Sequence, residues 1–281
     1  MPTAHIGGWR CHYLDQGSGP PLVLLHGLGS SARDWAYQLR VYSRTFRVIA
    51  PDLRGFGASE RKGPFRIEQF ANDIWALLAQ LGIDRFRLLG YSMGGAVALQ
   101  MAVTQPWRIE RLVIANSVPS FRPTHPSHWY MIGYRVFLMA LLGPKILGKR
   151  TAEQLFPKPE HEALRRINAV RAGRNSRWTY LRALWGLTRW SAVDGLNKLD
   201  MPTMVIAADH DYFSREEIVS FAHVLPRGRL QIIRDSHHGL PQECAPEFNK
   251  LTLKFLLRGI AQVGLSEPEP VSSRLASSLP R

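Results

Sequence analysis

Ser92 has a glycine two residues away on either side. Gly90-Tyr91-Ser92-Met93-Gly94 is a G-x-S-x-G pattern between the apolar run Phe86 to Leu89 and a helix-like stretch from Gly94 to Val103. Glycines at those positions remove the side chains that would collide with a serine on a one-residue turn from strand to helix. A residue squeezed there takes strained backbone angles, and its hydroxyl is pushed into the open. It also stands at a helix N-terminus, where unpaired N–H groups favour a developing anion. A serine hydroxyl needs a base to take its proton, and the base needs an acid to orient it. Two later stretches offer these groups, Asp209-His210-Asp211 and Asp235-Ser236-His237-His238, each just after an apolar run. The turn His26-Gly27-Leu28-Gly29 follows a third such run and brings backbone N–H groups beyond a strand end, where ligands of such sheets bind. The amide of Leu28 is therefore a candidate oxyanion donor. Serine, acid and base follow in that order, and together they could transfer an acyl group through a covalent serine intermediate. At this level Asp209 and Asp211 remain alternatives for the acid, as do His237 and His238 for the base.

The elements that must position these groups are short. Strand patterns cover Trp9 to Asp15, Leu22 to Leu25, Phe46 to Ala50, Phe86 to Leu89, Arg111 to Ala115, Thr203 to Ala207 and Leu230 to Ile233. Helical patterns cover Trp35 to Ser43, Ile67 to Leu81, Gly94 to Val103, Glu216 to Val224 and Glu247 to Arg258. In the loop from Pro51 to Ser59, Asp52 and Arg54 read as fixing the backbone by an ion pair and hydrogen bonds, since a loop this polar needs internal partners. From Asn116 to about Asp200 strand patterns disappear, and Trp, Arg, Leu and Met recur at helical spacing between breaks at Pro123, Pro126, Gly143-Pro144, Pro157 and Gly173. About four helices fit there, as an insertion between two core strands. In it, Trp129, Tyr130, Met131, Tyr134, Phe137, Leu138, Met139, Leu141 and Leu142 nearly encircle a helix, so part of that surface is expected to face a pocket. The greasy run Trp129 to Gly148 is interrupted by Arg135, Pro144 and Lys145 and does not read as a membrane span.

The 281 residues carry a formal net charge of +14, with 45% hydrophobic residues as in an ordinary soluble protein. Between residues 116 and 200 there are 14 Lys and Arg against 5 Asp and Glu, so most of the excess lies in the insertion. Such a field attracts nucleic acid, anionic membranes or acidic ligands. Zinc-ligand spacings, RNP-type aromatics and long lysine runs are all missing, which argues against a specific nucleic-acid partner. A small-molecule substrate and peripheral contact with an anionic membrane surface are the partners this charge leaves; an oligomeric state is not readable. Cys11 and Cys244 are too few and too far apart for a disulfide framework or a metal site. They read as free thiols in a reducing compartment, and with no secretory signal pattern at the N-terminus the expected location is cytoplasmic. The Ser-, Pro- and Glu-rich tail, 263–281, reads as disordered.

Five motifs in order carry a resemblance: H-G-L-G at 26–29, P-D-L-R-G-F-G-A-S at 51–59, G-Y-S-M-G-G at 90–95, D-H-D at 209–211 and H-H-G-L-P-Q-E at 237–243. From Gly8 to about Gly259 the chain resembles the α/β-hydrolase fold family, in its serine-hydrolase, carboxylesterase- or lipase-like branch with a helical cap. The resemblance implies an α/β fold with a mostly parallel eight-stranded sheet flanked by helices. The core would be 1–116 and 201–262, and the cap 117–200. The family's acid follows in a G-x-x-D pattern, whose glycine position is Ala208 here, and this selects Asp211. Counting back from Glu243, Phe248 and Asn249 selects His238, with His237 in place of a common glycine. By the same resemblance, the backbone N–H groups of Leu28 and Met93 form an oxyanion hole. No metal or organic cofactor is required, and the expected activity is hydrolysis of a short- to medium-chain carboxylic ester through an acyl-enzyme. Dehalogenases and epoxide hydrolases of this family carry aspartate where this chain has Ser92. Hydrolases of C–C bonds in ring-fission products also use serine, but their relatives commonly carry tryptophan where Gly239 stands, so they rank second. Cofactor-free perhydrolases share the three residues. A hydrolase-like ligand-binding protein is the non-enzymatic alternative, and it has no chemical need to hold all three.

Overall fold

Leu22, Val23, Leu24 and Leu25 are all fully buried, although successive side chains of a strand point to opposite faces. A strand of this kind must be covered on both sides. In the computed structural model, which describes residues 2–259, it lies inside an eight-stranded sheet. The strands are β1 (Thr3–Ile6), β2 (Trp9–Gln16), β3 (Pro21–Leu25), β4 (Arg47–Pro51), β5 (Phe86–Tyr91), β6 (Ile109–Ala115), β7 (Thr203–His210) and β8 (Gly228–His237). Their spatial order is β1-β2-β4-β3-β5-β6-β7-β8. The β1–β2 and β2–β4 pairs are antiparallel and the other pairs are parallel. This is the mostly parallel α/β sheet expected. The short β1 is an addition, because its four residues are too few to stand out as a pattern.

Helices α1 (Ala36–Tyr42), α2 (Ile67–Gln80) and α3 (Met93–Thr104) follow β3, β4 and β5. Four more, α4 (Pro126–Phe137), α5 (Gly143–Leu155), α6 (Glu162–Ala172) and α7 (Arg177–Leu187), lie between β6 and β7. The described chain is completed by α8 (Arg215–Val224), the one-turn α9 (Leu240–Glu243) and α10 (Ala245–Leu256). Val23, Leu25, Leu88, Leu112, Ile114 and Val205 pack on one face of the sheet with α2, α3 and α8. Leu22, Leu24, Leu89, Val113, Met204 and Ile206 pack on the other with α1 and α10. The helix α3 approaches the sheet so closely that a Cβ on Gly94 would collide with the carbonyl oxygen of Leu25, and one on Gly90 with the carbonyl oxygen of Gly94. The tail expected to be disordered, 263–281, lies outside the described residues.

The inserted helices have a small core of their own, made by Leu138, Met139, Leu147, Tyr180 and Leu184. A π-helical turn, Leu138–Leu142, joins α4 to α5, and Gly143 follows with φ of 81°. Arg135, Pro144 and Lys145 do not end the helical run. Pro126–Leu155 spans 30 residues and contains an 18-residue stretch with a mean hydropathy of 1.4, long and apolar enough to cross a membrane by length and composition alone. Trp129, Tyr130, Phe137, Leu141 and Leu142 are exposed on its surface.

Candidate active site

Ser92 follows β5 directly and caps α3. Its N–H donates to the carbonyl of Ala115 at 2.9 Å, and the Ser117 hydroxyl donates to the Ser92 carbonyl at 2.8 Å, which ties the turn to the end of β6. The backbone there is at φ 53° and ψ −120°, a region that non-glycine residues rarely occupy. The Gly27 turn lies against it, with space for a Cβ only 3.3 Å from that of Ser92. Leu28 borders the same cavity as Ser92, and Met93 contributes the first N–H of α3, which has no intrahelical partner.

Asp211 follows β7 directly, and His238 follows β8. The structure brings both to Ser92. The Nε2 atom of His238 lies 3.0 Å from the Ser92 Oγ, and its Nδ1 bonds Asp211 Oδ1. A carboxylate only accepts, so Nδ1 carries the proton and Nε2 is left as the acceptor facing the hydroxyl. Asp211 Oδ1 also accepts the N–H of Tyr212 at 2.6 Å, while its Oδ2 is buried without a partner. The imidazole is packed between Tyr212 at 4.2 Å, Tyr91 at 5.4 Å and Phe213 at 6.1 Å, measured between ring centres.

The alternatives are turned elsewhere. Asp209 accepts the backbone N–H groups of Asp235 and Ser236 at 2.7 and 2.9 Å. Burial works to raise its pKa, but those N–H groups outweigh it and hold the carboxyl below the ordinary aspartate value. His237 is held by Glu243, which accepts from its backbone N–H at 2.6 Å and bonds its Nδ1 at 2.8 Å. The Asp52–Arg54 ion pair does not form. Asp52 accepts from the N–H groups of Ala32 and Ala58 and pairs with His12 at 2.7 Å, while Arg54 pairs with Asp73 on α2. Both side chains still fix the loop, each through a partner distant in sequence.

Three contributors were not singled out from the sequence. Asn116 is fully buried at φ 45°; its side chain donates to the His238 carbonyl at 2.9 Å and accepts the Ala208 N–H at 3.1 Å, fastening the histidine loop to β7. The only available signal was an asparagine, the side chain type that tolerates positive φ, directly after a strand. His26 accepts the N–H of Leu53 at 3.0 Å, and burial lowers its pKa below the ordinary histidine value, so it braces the Leu28 turn as a neutral ring. Arg135 lines the cavity above Ser92, with the insertion residues Met131, Phe156, Leu184 and Leu187. That cavity holds about 420 Å³. Among the described residues no group of three His, Cys, Asp or Glu side chains is placed to hold a metal ion, and both cysteines are free.

A doubly covered parallel sheet, with such side chains gathered beyond the carboxyl ends of its strands, defines a class of hydrolytic enzymes. The chain belongs to the α/β-hydrolase fold family, whose family model matches residues 20–241. It is 30% identical over 280 residues to epoxide hydrolase 3 of Xenopus tropicalis, covering 89% of this chain and 75% of that protein. It is 29% identical over 261 residues to 2-hydroxymuconate semialdehyde hydrolase of Pseudomonas putida, covering 89% and 91%. Among solved structures, the enol-lactonase from Burkholderia xenovorans LB400 superposes with a TM-score of 0.83 at 26% identity, covering 91% of this chain and 99% of that one.

Proposed function

We propose that this hydrolase cleaves carboxylic esters of short to medium chain through a covalent acyl-serine, with Ser92 as nucleophile, His238 as base and Asp211 as the acid that orients it. The observation that carries this reading is the continuous hydrogen-bonded path from Asp211 through both ring nitrogens of His238 to the Ser92 hydroxyl. The Ser92 oxygen attacks the ester carbonyl as Nε2 takes its proton. The oxyanion that forms is held by the N–H groups of Leu28 and Met93, and one such donor is typically worth about 3 kcal/mol of barrier. Collapse expels the alcohol, which takes the proton from Nε2. Water then gives its proton to the same nitrogen and attacks the acyl carbon, releasing the acid and restoring Ser92.

Serine chemistry also separates this chain from the epoxide hydrolase it resembles. A serine oxygen that opened an epoxide would leave an ether, with no carbonyl for water to attack. An aspartate in its place leaves an ester that water can cleave. The C–C hydrolase reading is second, supported by the likeness to 2-hydroxymuconate semialdehyde hydrolase.

The helices α4 to α7 serve as the cap that sets substrate length. They line the cavity with Met131, Leu155, Leu184 and Leu187 beside polar side chains such as His128, Arg135 and Asn168, and each methylene buried against the apolar part contributes about 0.8 kcal/mol. A panel of p-nitrophenyl esters from acetate to palmitate tests the reading. The value of kcat/KM should rise from two carbons to about six or eight, and a flat or acetate-peaked profile would remove the acyl preference.

A further inference from the structure

Of the three arginines that line this cavity, Arg171 pairs with Asp34 and Arg122 donates to the Arg189 carbonyl, while Arg135, the one packed against the Tyr212 ring, has no carboxylate partner among the described residues. Arg135 reaches the cavity from α4, and its Nη1 donates to the Tyr180 hydroxyl at 3.1 Å. Its guanidinium carbon lies 5.3 Å from the centre of the Tyr212 ring, and that ring in turn packs against His238. No carboxylate pairs with it among the described residues. The acids near the cavity are committed elsewhere: Asp34 to Arg171 at 2.5 Å, Glu217 to the Ser214 N–H at 2.8 Å and Asp211 to His238. A guanidinium is charged at every accessible pH and presents five donors, of which the phenol and the ring use few. A second donor stands beside it. The Tyr212 hydroxyl is buried with no partner of hydrogen-bond geometry, and burial raises its pKa, so it keeps its proton at neutral pH.

We propose that Arg135, with the Tyr212 hydroxyl, binds a carboxylate carried by the substrate, so that the ester cleaved at Ser92 is an acid ester and not a neutral one. The inference rests on the ester reading above and refines it. The apolar part of the cavity wall takes the chain between the two ends, the oxyanion donors take the reacting carbonyl, and the guanidinium takes the second, anionic end. A planar fork and a carboxylate form a bidentate, charge-assisted pair, which a neutral ester of the same length cannot make.

Two matched pairs of substrates test it. One places the acid on the acyl side, p-nitrophenyl hydrogen adipate against p-nitrophenyl methyl adipate. The other places it on the alcohol side, 4-butanoyloxybutanoate against its methyl ester. In at least one pair, kcat/KM should favour the acid by about tenfold or more. That ratio should collapse toward one in Arg135→Met and be partly kept in Arg135→Lys. Ratios near one in both wild-type pairs, or a preference that survives Arg135→Met, would overturn the proposal and leave Arg135 as a brace between α4, α7 and the Tyr212 loop. Calorimetry with adipate and dimethyl adipate on the Ser92→Ala protein makes the same comparison without turnover: adipate should bind the more tightly, and equal binding would count against the site. Failure of all four esters to be cleaved would overturn the ester reading. Cleavage without an acid preference would overturn only the carboxylate site.

Discussion

Asp209 and Asp211 stand two residues apart, yet one holds two backbone N–H groups near the end of β8 and the other holds the imidazole. Their substitutions should therefore part company. Asp211→Asn loses the acceptor that keeps the Nδ1 proton in place, and kcat/KM for a p-nitrophenyl ester should fall by about 10⁴-fold. Asp209→Asn should stay within about threefold of wild type and show its effect in a lower melting temperature, since it weakens only loop hydrogen bonds. Comparable losses of activity in both variants would mean that the acid has been misassigned. The same contrast shows what could be read from residues. Ser92, Asp211 and His238, which the structure joins by hydrogen bonds, stood out because acyl transfer restricts the residue types and strand ends restrict their places. The residues alone left the neighbours open, and only the family resemblance selected Asp211 and His238; the structural causes, the β-bulge between Ala208 and His210 and the Glu243 contact to His237, have no periodic signature. Arg135 was visible only as an interruption of a greasy helix. Among the other arginines of the insertion, Arg171 pairs with Asp34 at the cavity wall, and Arg165 donates to the carbonyls of Phe156 and Lys158.

The β5–α3 unit is the element on which the serine's placement depends. Ser92 keeps its positive φ because α3 starts hard against β3, and Gly94 is the point of closest approach. Gly94→Ala puts a methyl group against the Leu25 carbonyl, where backbone cannot give way as a flexible side chain would. The variant should lose about 1–3 kcal/mol of stability or fail to accumulate as folded protein, read by chemical denaturation, and a neutral effect would mean that the packing is looser than described. Strands β2 to β8 were legible as apolar runs, and the four inserted helices through their Pro and Gly breaks. The facing of the greasy run was not. Met131 lines the cavity, whereas Leu138 and Met139 pack inside the insertion and Trp129, Tyr130, Phe137, Leu141 and Leu142 face outward. A π-helical turn shifts the phase of the face halfway along, and hydrophobicity alone does not mark such a turn.

At the scale of the whole molecule, +9 of the formal charge of +14 lies in residues 116–200, which line much of the cavity, where it can draw anions toward the mouth. Steering of this kind is screened over a Debye length of about 10 Å at 0.1 M salt. For the acid ester, kcat/KM should fall by about three- to tenfold between low and physiological ionic strength, while the neutral ester changes little. Equal salt dependence of the two would assign the charge to solubility alone. Strand order and the layering of helices could not be read without the family likeness, because local patterns do not say which strands are neighbours. The central claim, however, concerns one oxygen atom. The most direct test is to treat the folded protein with a fluorophosphonate probe and locate the adduct by peptide mass spectrometry. The account predicts stoichiometric labelling on Ser92 with loss of ester hydrolysis, and neither labelling nor turnover in a folded Ser92→Ala protein. A label on another residue, or an Ala variant that turns over ester at near the wild-type rate, would contradict it.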